Sequence, residues 1–408
     1  MFTTSGFALS DLGSPNRVML AWLVGGAIAL CGALSYGALA RHLTESGGEY
    51  FFLSRVIHPL AGFIAGWVSL RAGFTGAIAF AALAFETYFQ PILPVRLPPG
   101  FLAVFIVAAA ALLHGIRLTV GVGIQNLMVN LKLALLVIFI AIAAVTAKFY
   151  AGEAPASPIS DFSFLSFAGT LVWISLSYSG FNAAVYVAGE AEHKKANVPR
   201  AMWVGTLIVA AIYLALNAVF LYLAPVSLTA GREDIAAVAA FSIGGESLAL
   251  LVRLIIAISL LTSVFAMIMA GPRVYARMAE DKLFPKFFRF QGEVPRAAIA
   301  LQAACAMIVI AFASLKDLCS YLGFTLSLSA ALTVFCLFLL RRKEPIKIPG
   351  YPFVPAFFVG STVLLAILAV YRNPAELIAT LLAFTSGAAL YFLLRVRYKS
   401  TDSDKSKR

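Results

Sequence analysis

Apolar stretches of about 20 residues recur along the whole chain, and they constrain its fold more than any other feature of the sequence. A stretch of that length is what an α-helix needs to cross the hydrocarbon core of a bilayer. The hydrophobic fraction of 61% over 408 residues excludes an ordinary soluble domain. The pattern predicts an all-α polytopic membrane protein. Its full spans are expected at about 17–41, 60–89, 100–116, 121–148, 163–189, 200–224, 246–279, 296–315, 317–340, 352–371 and 374–396.

Basic residues are distributed unevenly between the two sets of loops that these spans create. Of the 31 lysines and arginines, 22 fall in one set of loops and the tail, six in the opposite set and three inside spans. Cytoplasmic loops of membrane proteins carry such an excess. We therefore expect the C-terminus and the loops at 190–199 and 280–295 to be cytoplasmic. The net charge of +12 orients helices and does not indicate nucleic-acid binding.

The sequence carries no sign of catalytic or metal chemistry. Its four cysteines fall in or beside apolar stretches, with neither metal-ligand spacing nor the pattern of a disulfide framework. No cluster of His, Asp and Glu has catalytic spacing, and no Walker-type glycine-rich loop is present. We expect no enzyme activity, no metal and no cofactor.

The stretch Ser175–Arg200 interrupts an apolar span that begins near Phe162. Its residues SYSGFN (177–182) include serines and an asparagine, which compete with the backbone for hydrogen bonds, and a glycine, which costs a helix about 1 kcal/mol relative to alanine. A broken helix in hydrocarbon needs protein, water or a ligand to satisfy its backbone. The break indicates either a binding site or a face where helices pack closely.

Residues 1–13 are too short to span and match the second half of a first helix. The first and sixth helices would then both be interrupted, five helices apart. Such spacing indicates two five-helix halves of opposite orientation, with the substrate site at the interruptions. We expect one transmembrane domain, 1–396, made of repeat one (about 1–148), repeat two (about 163–340) and two further helices (about 352–396). The polar tail 397–408 is expected to be disordered and cytoplasmic.

Four stretches resemble, in the same order, signature segments of the amino acid/polyamine/organocation (APC) transporters. They correspond to helix 2 with the loop after it, the broken helix 6, the end of helix 8, and the loop between helices 10 and 11. They read GALSYGALARHLTESGGEYFFLSRVIHPLAGFIAGW (32–67), SYSGFNAAVYVAGEAEHKKANVPRA (177–201), AGPRVYARMAEDKLFPKFF (270–288) and LLRRKEPIKIPGYPFVPAFF (339–358). The resemblance extends from Phe2 to about Leu394.

The resemblance implies the leucine-transporter-type fold and transport of amino acids by alternating access. In this family the substrate carboxylate meets backbone N–H groups at the helix 1 break, and its amine meets carbonyls at the helix 6 break. The partial charges of helix ends suit such a zwitterion. The implied substrate-binding residues are Phe2, Thr3, Thr4, Ser5, Leu176, Ser177, Tyr178, Ser179, Gly180, Phe181 and Asn182. The SYSGFN sequence favours the neutral amino acid exchangers of the family.

The sequence departs from the family pattern in two places. The Gly-Ser-Gly sequence that usually precedes the residue matching Phe2 is absent, because the chain begins at Met1. We expect the reading frame upstream to continue, and the 408-residue form to transport poorly or leak. Helix 2 lacks the acidic residue of the family's Tyr-Ala-Glu-Leu, since it reads Tyr36-Gly37-Ala38-Leu39.

Lys132 lies about eleven residues into helix 5, which places it near mid-membrane. It matches the family's helix 5 lysine, which is implied to tie helix 5 to helices 1 and 8 and to replace a sodium ion in proton-coupled members. Ser263 falls near the matching helix 8 position. Lys132 is expected to take part in proton coupling, since ionisable residues inside membranes are costly. The alternatives are a structural ammonium for Lys132 and an ordinary packing serine for Ser263.

Four other ionisable residues receive simpler interpretations. Arg71, deep in helix 3, is expected to snorkel or to face a water-filled vestibule. Arg253 and Glu86 are expected near the outer face, with Glu86 solvated. His114 is expected at the edge of a loop.

The sequence therefore predicts a secondary transporter of small or neutral amino acids in the cell membrane, which is the inner membrane if the source is bacterial. Proton symport is the first hypothesis for its mechanism, and obligate exchange is the alternative. An amino acid sensor and an inactive truncated fragment are the hypotheses of another class. No partner beyond substrate, protons and the bilayer is implied, and the oligomeric state stays open.

Overall fold

The structure is a computed structural model that describes residues 1–116, 118–146, 162–290, 292, 294–372 and 374–405. The described residues are mainly helical. The α-helices are α1 (Thr4–Leu12), α2 (Pro15–His42), α3 (Gly48–Val56), α4 (Pro59–Val68), α5 (Ala77–Phe89), α6 (Phe101–Ile116), α7 (Leu118–Thr146), α8 (Phe164–Tyr178), α9 (Lys194–Tyr222), α10 (Val226–Thr229), α11 (Ile235–Glu280), α12 (Arg296–Phe312), α13 (Leu315–Lys343), α14 (Phe353–Arg372) and α15 (Pro374–Lys405).

Each of the eleven predicted spans corresponds to a helix or to helical segments that follow one another. Over the described residues, nine helical stretches are long and apolar enough to cross a membrane, and α6 and α12 contribute two shorter apolar helices. α1 is the predicted half-helix. The expected all-α polytopic fold is confirmed.

Three spans change their helical geometry partway along. A π-helical segment, Ser69–Gly76, joins α4 to α5 within the predicted span 60–89. A 3₁₀ segment, Ser179–Tyr186, continues α8 beyond Tyr178. In α11 the backbone leaves helical geometry at Gly244 and Gly245, and the latter has φ +67°, which favours glycine. The span predicted to begin at 246 therefore starts directly after a kink.

Long-range contacts join the loops that carry the basic excess. The Gly189 N–H donates to Ser46 Oγ at 2.9 Å, and Arg277 pairs with Glu45 at 2.7 Å. We call this side of the molecule the basic end, and it holds residues 43–58, 187–193 and 281–290.

We call the other side of the molecule the opposite end. Its own contacts hold the chain segments there together. The Gly231 N–H donates to Gly6 O at 2.8 Å, and Arg253 pairs with Asp234 at 2.9 Å. Loops expected on one side of the membrane therefore lie together at one end of the molecule.

Glycines at helix crossings let backbones approach closely. A Cβ atom on Gly323 of α13 would lie 2.3 Å from Val172 O of α8, and one on Gly37 of α2 would lie 3.2 Å from the Pro199 ring of α9. Small residues serve this purpose where helices pack inside a membrane.

Two expectations need correction. The tail was expected to be disordered from Arg397, but α15 continues through Lys405. Lysine and arginine are good helix formers, and cations are favoured near a helix C-terminus, so a polar composition does not end this helix.

α9 begins at Lys194, six residues before the predicted start, and includes Pro199. The expected sides of Arg117, Lys148, Lys407 and Arg408 concern residues outside the described part of the chain.

Candidate functional site

A central cavity of about 200 Å³ lies between the spans, next to the helix 6 interruption. Its walls are formed by α2, the π segment, α8 with the 3₁₀ segment, α11, α13 and α14, and α3 contributes Glu49. Most lining side chains are small or apolar. Six of the predicted substrate-binding residues line it: Leu176, Tyr178, Ser179, Gly180, Phe181 and Asn182.

The interruption is a tightening of the helix at Ser179 rather than an unwound stretch. The Ser179 N–H and hydroxyl both donate to Leu176 O, the hydroxyl at 2.7 Å. This local bonding is how serine competes with an α-helical backbone. Ser177 O accepts from the Tyr213 hydroxyl at 3.2 Å. At least two of the three carbonyls predicted to receive a substrate amine are therefore already bonded, although each carbonyl oxygen keeps a second lone pair.

Two aromatic residues of the predicted set form part of the cavity wall. The Phe181 ring packs edge-on against Tyr36 and Phe358, with centroid distances of 5.4 and 5.8 Å. Tyr178 packs against Trp22 at 5.6 Å, and its hydroxyl donates to Trp22 O at 3.3 Å. Gly180 is exposed, and a Cβ there would meet nothing within 4 Å.

Of the helix 1 residues Phe2 to Ser5, Thr4 meets the helix 6 interruption at Ser177, and none of the four lines the central cavity. Thr4 Oγ1 lies 3.2 Å from Ser177 Oγ. Ser5 is buried and donates to Asn217 Oδ1 at 2.6 Å. Thr3 is the N-cap residue of α1, but its side chain makes no capping hydrogen bond. The structure thus brings the start of α1 to the helix 6 interruption and leaves the cavity to the helix 6 side.

Lys132 and Ser263 both lie outside the cavity lining, on α7 and α11. Lys132 Nζ donates to Thr262 Oγ1 at 3.5 Å, so the expected contact with helix 8 involves the residue before Ser263. The Ser263 hydroxyl donates to Ser259 O at 3.0 Å, within its own helix.

Sequence analysis missed Glu49, which is the acidic residue that lines the cavity. Only 5% of Glu49 is exposed. Its carboxylate accepts hydrogen bonds from Tyr36 on α2, Asn182 in the 3₁₀ segment and Ser329 on α13. Glu49 is on α3, which lies outside the candidate spans. Its burial raises the pKa of its carboxyl group, and the three hydrogen bonds donated to it oppose that rise. The signal that could have revealed it is the pair Gly47-Gly48 directly before it, which marks a tight turn.

The structure also places the remaining singled-out residues. Arg71 is exposed beside Trp67, and it donates to Ser386 on α15 at 3.3 Å. Arg253 lies at the opposite end, where it pairs with Asp234.

Glu86 and His114 each lie near a helix end, and each is more buried than the sequence indicated. Half-buried Glu86 accepts from the N–H groups of Gly100 and Ala103 at 2.6 and 3.1 Å, because a carboxylate satisfies the free donors at the start of α6. His114, in the last turn of α6, is buried and packs edge-on against Phe265.

Comparisons with known proteins add to this geometry. The family model described as amino acid permease matches residues 1–393. The chain belongs to the amino acid permease family. It is therefore a transporter of amino acids and not an enzyme, and the resemblance described from its sequence is confirmed.

Three similar proteins illustrate the range of the family. The serine/threonine exchanger SteT of Bacillus subtilis (strain 168) is 26% identical over 395 residues, which cover 89% of this chain and 87% of that protein. The human b(0,+)-type amino acid transporter 1 is 26% identical, with 98% of this chain and 84% of that protein covered. The large neutral amino acids transporter small subunit 2 of Rattus norvegicus is 24% identical, with 96% and 76% covered.

Proposed function

We propose that this permease carries small neutral amino acids across the cell membrane by alternating access between two five-helix halves. The central cavity beside the 3₁₀ segment Ser179–Tyr186 carries the proposal. It is enclosed by spans from both halves, and its volume of about 200 Å³ suits a small solute. The Leu176, Ser177 and Tyr178 carbonyls would take the amine, and N–H groups of Phe2 to Ser5 would take the carboxylate. The basic end is cytoplasmic, with the C-terminus on that side.

The charge of the cavity supports neutral substrates. One carboxylate, that of Glu49, lies among the lining residues. The Glu49 oxygens, however, already accept three hydrogen bonds. Three of the about four lone-pair sites of the carboxylate are therefore occupied, and it offers a lysine or arginine side chain fewer contacts than a free carboxylate would. Small neutral amino acids need no counter-charge for their side chains.

Transport into proteoliposomes preloaded with unlabelled amino acid tests this function. We expect counterflow of labelled serine or alanine, with competition from small neutral amino acids and weak competition from arginine. Arginine as the strongest competitor would contradict the neutral substrate class. Binding without counterflow would indicate a sensor, and neither binding nor counterflow would indicate an inactive form.

Proton symport is proposed as the coupling mechanism, with Lys132 as the group that exchanges the proton. Its amine lies between α7 and α11, 3.5 Å from the Thr262 hydroxyl. Buried lysines can lose their charge near neutral pH. Exchange is the second candidate, because the similar Bacillus protein is named a serine/threonine exchanger. Uptake into empty proteoliposomes, driven by an inward proton gradient alone, would distinguish symport from obligate exchange.

The variant Lys132→Ala tests the proton role directly. We expect it to remove the pH dependence of uptake while the folded yield is kept, whereas Lys195→Ala in an exposed position leaves the pH profile unchanged. The measurement is initial uptake rate between about pH 5 and pH 8. Normal uptake with unchanged pH dependence in Lys132→Ala would exclude the proton role. Loss of folded protein would favour a structural ammonium.

A further inference from the structure

Glu49 joins four separate elements of the chain at one carboxylate. Its Oε1 accepts from the Tyr36 hydroxyl at 2.6 Å and from Asn182 Nδ2 at 3.2 Å. Its Oε2 accepts from the Ser329 hydroxyl at 2.6 Å. These partners belong to α2, the 3₁₀ segment and α13, while Glu49 itself is on α3. We call Glu49, Tyr36, Asn182 and Ser329 the Glu49 cluster.

The backbone before Glu49 is shaped to bring it to the cavity. Gly47 and Gly48 have φ angles of +131° and +58°, in the region that favours glycine. A Cβ on Gly48 would lie 2.2 Å from the Tyr186 ring, at the end of the 3₁₀ segment. The start of α3 is therefore pressed against the same segment that Asn182 belongs to.

Two hydrogen bonds of the cluster, from the Tyr36 and Ser329 hydroxyls, are short at 2.6 Å. That length is typical of bonds to an ionised carboxylate, which are roughly twice as strong as bonds between neutral groups. Glu49, Tyr36 and Ser329 are all almost fully buried, so water does not readily replace a lost partner. Separating the 3₁₀ segment or α13 from α2 requires at least one of these bonds to break.

Two further contacts connect the segment before Glu49 to neighbouring elements at the basic end. The Gly189 N–H bonds Ser46 Oγ at 2.9 Å, and Arg277 pairs with Glu45 at 2.7 Å. These contacts tie residues 45–46, just before Glu49, to the end of the 3₁₀ region and to α11. The cavity lining includes Glu49 and its partner Asn182 but not the residues of these two further contacts, so the Glu49 cluster forms the innermost layer of the closure.

We propose that Glu49 is a positioning residue that latches the cytoplasmic side of the substrate cavity. It holds the 3₁₀ segment and α13 against α2, and release of its three hydrogen bonds accompanies opening toward the cytoplasm. The latch rests on the proposed function for its purpose, since it assigns the basic end to the cytoplasm and the cavity to the substrate.

Accessibility of a cysteine in the cavity tests the latch. Ala270 lines the cavity from α11, and Ala270→Cys places a thiol there with little change in volume. A membrane-impermeant maleimide is applied to inside-out and right-side-out vesicles. Labelling of the same chain without Ala270→Cys is subtracted, to account for the four native cysteines. Tyr36→Phe and Ser329→Ala each remove one donor and leave the carboxylate in place.

We expect both variants to raise labelling from the cytoplasmic side roughly tenfold, and to leave it unchanged or lower from the outside. Glu49→Ala should show the largest rise. Glu49→Gln should fall between Glu49→Ala and the parent chain, because its amide keeps one acceptor and can donate to the Ser329 hydroxyl. Tyr371→Phe and Ser361→Ala are the matched controls. They remove hydroxyls from α14 positions that do not line the cavity, and they should label like the parent.

Two results would overturn the latch. One is parental labelling in Tyr36→Phe, Ser329→Ala and Glu49→Ala with folded protein retained. The other is an equal rise from both sides together with a lower melting temperature, which would indicate a general packing role. Labelling does not depend on transport. A shift in labelling without counterflow would therefore uphold the latch and reject the proposed function.

Discussion

Two glycines with left-handed backbone, Gly48 and Gly13, differ in how much space an added side chain would have. Gly48 combines a left-handed backbone with direct contact to Tyr186, so a side chain there meets both strain and a clash. Gly13, at the end of α1, has a similar φ of +65° but nothing within 4 Å of an added Cβ. The two positions separate the cost of the backbone conformation from the cost of crowding.

We expect Gly48→Ala to lower the melting temperature in detergent more than Gly13→Ala. The backbone strain of about 1–2 kcal/mol is common to both. Only Gly48→Ala also adds a clash with the Tyr186 ring, which increases the loss of stability. Because Glu49 follows directly, we expect this substitution to weaken substrate binding as well. Equal destabilisation by the two substitutions would show that the ring moves away without cost.

At this scale the sequence predicted some residues and missed others. The residues at the helix 6 interruption were found because serine and glycine inside an apolar span carry their own signal. Glu49 was missed because it lies between two spans, in what reads as a loop. Its three partners come from positions 36, 182 and 329, and no spacing along the chain brings these together.

The helices themselves were largely predicted, because a long apolar stretch has few alternatives in a membrane. What the sequence did not predict is the π geometry of Ser69–Gly76 and the continuation of the helix through the break as a 3₁₀ segment. A polar break in an apolar span indicates that the α-helix is interrupted, but not which geometry replaces it. The sequence also did not predict the close crossing of α8 and α13 at Gly323.

Gly323→Ala tests that crossing. The new Cβ would lie 2.3 Å from Val172 O, so α13 must move away from α8 at the wall of the cavity. We expect a loss of stability of about 1–3 kcal/mol, beyond the gain that alanine gives a helix interior. Gly360→Ala on α14, where nothing lies within 4 Å, should be neutral or slightly stabilising. The melting temperatures of the two variants are measured by thermal unfolding in detergent. Equal values would show that α13 and α8 do not need a glycine where they cross.

At the scale of the whole molecule, the distribution of charge and the packing of the loops agree. The basic excess along the sequence assigns the loops at 190–199 and 280–295 to one side of the membrane. In the fold, the neighbouring residues Glu190 and Arg273 pair at 2.7 Å, and Tyr50 donates to Asp281 at 2.6 Å. The helix order therefore returns these loops to one end. The proposed cytoplasmic position of the basic end rests on the charge bias.

Cysteine labelling in intact cells tests this orientation. Lys195 and Lys316 are both exposed, at the basic end and the opposite end of the molecule. We expect Lys316→Cys to react with an impermeant maleimide added outside, and Lys195→Cys to react only after the membrane is permeabilised. Labelling of the chain without either substitution gives the background from the native cysteines. Because all spans are linked in one chain, a reversed result at both positions would invert the whole map, and it would place the Glu49 cluster on the outer side of the cavity.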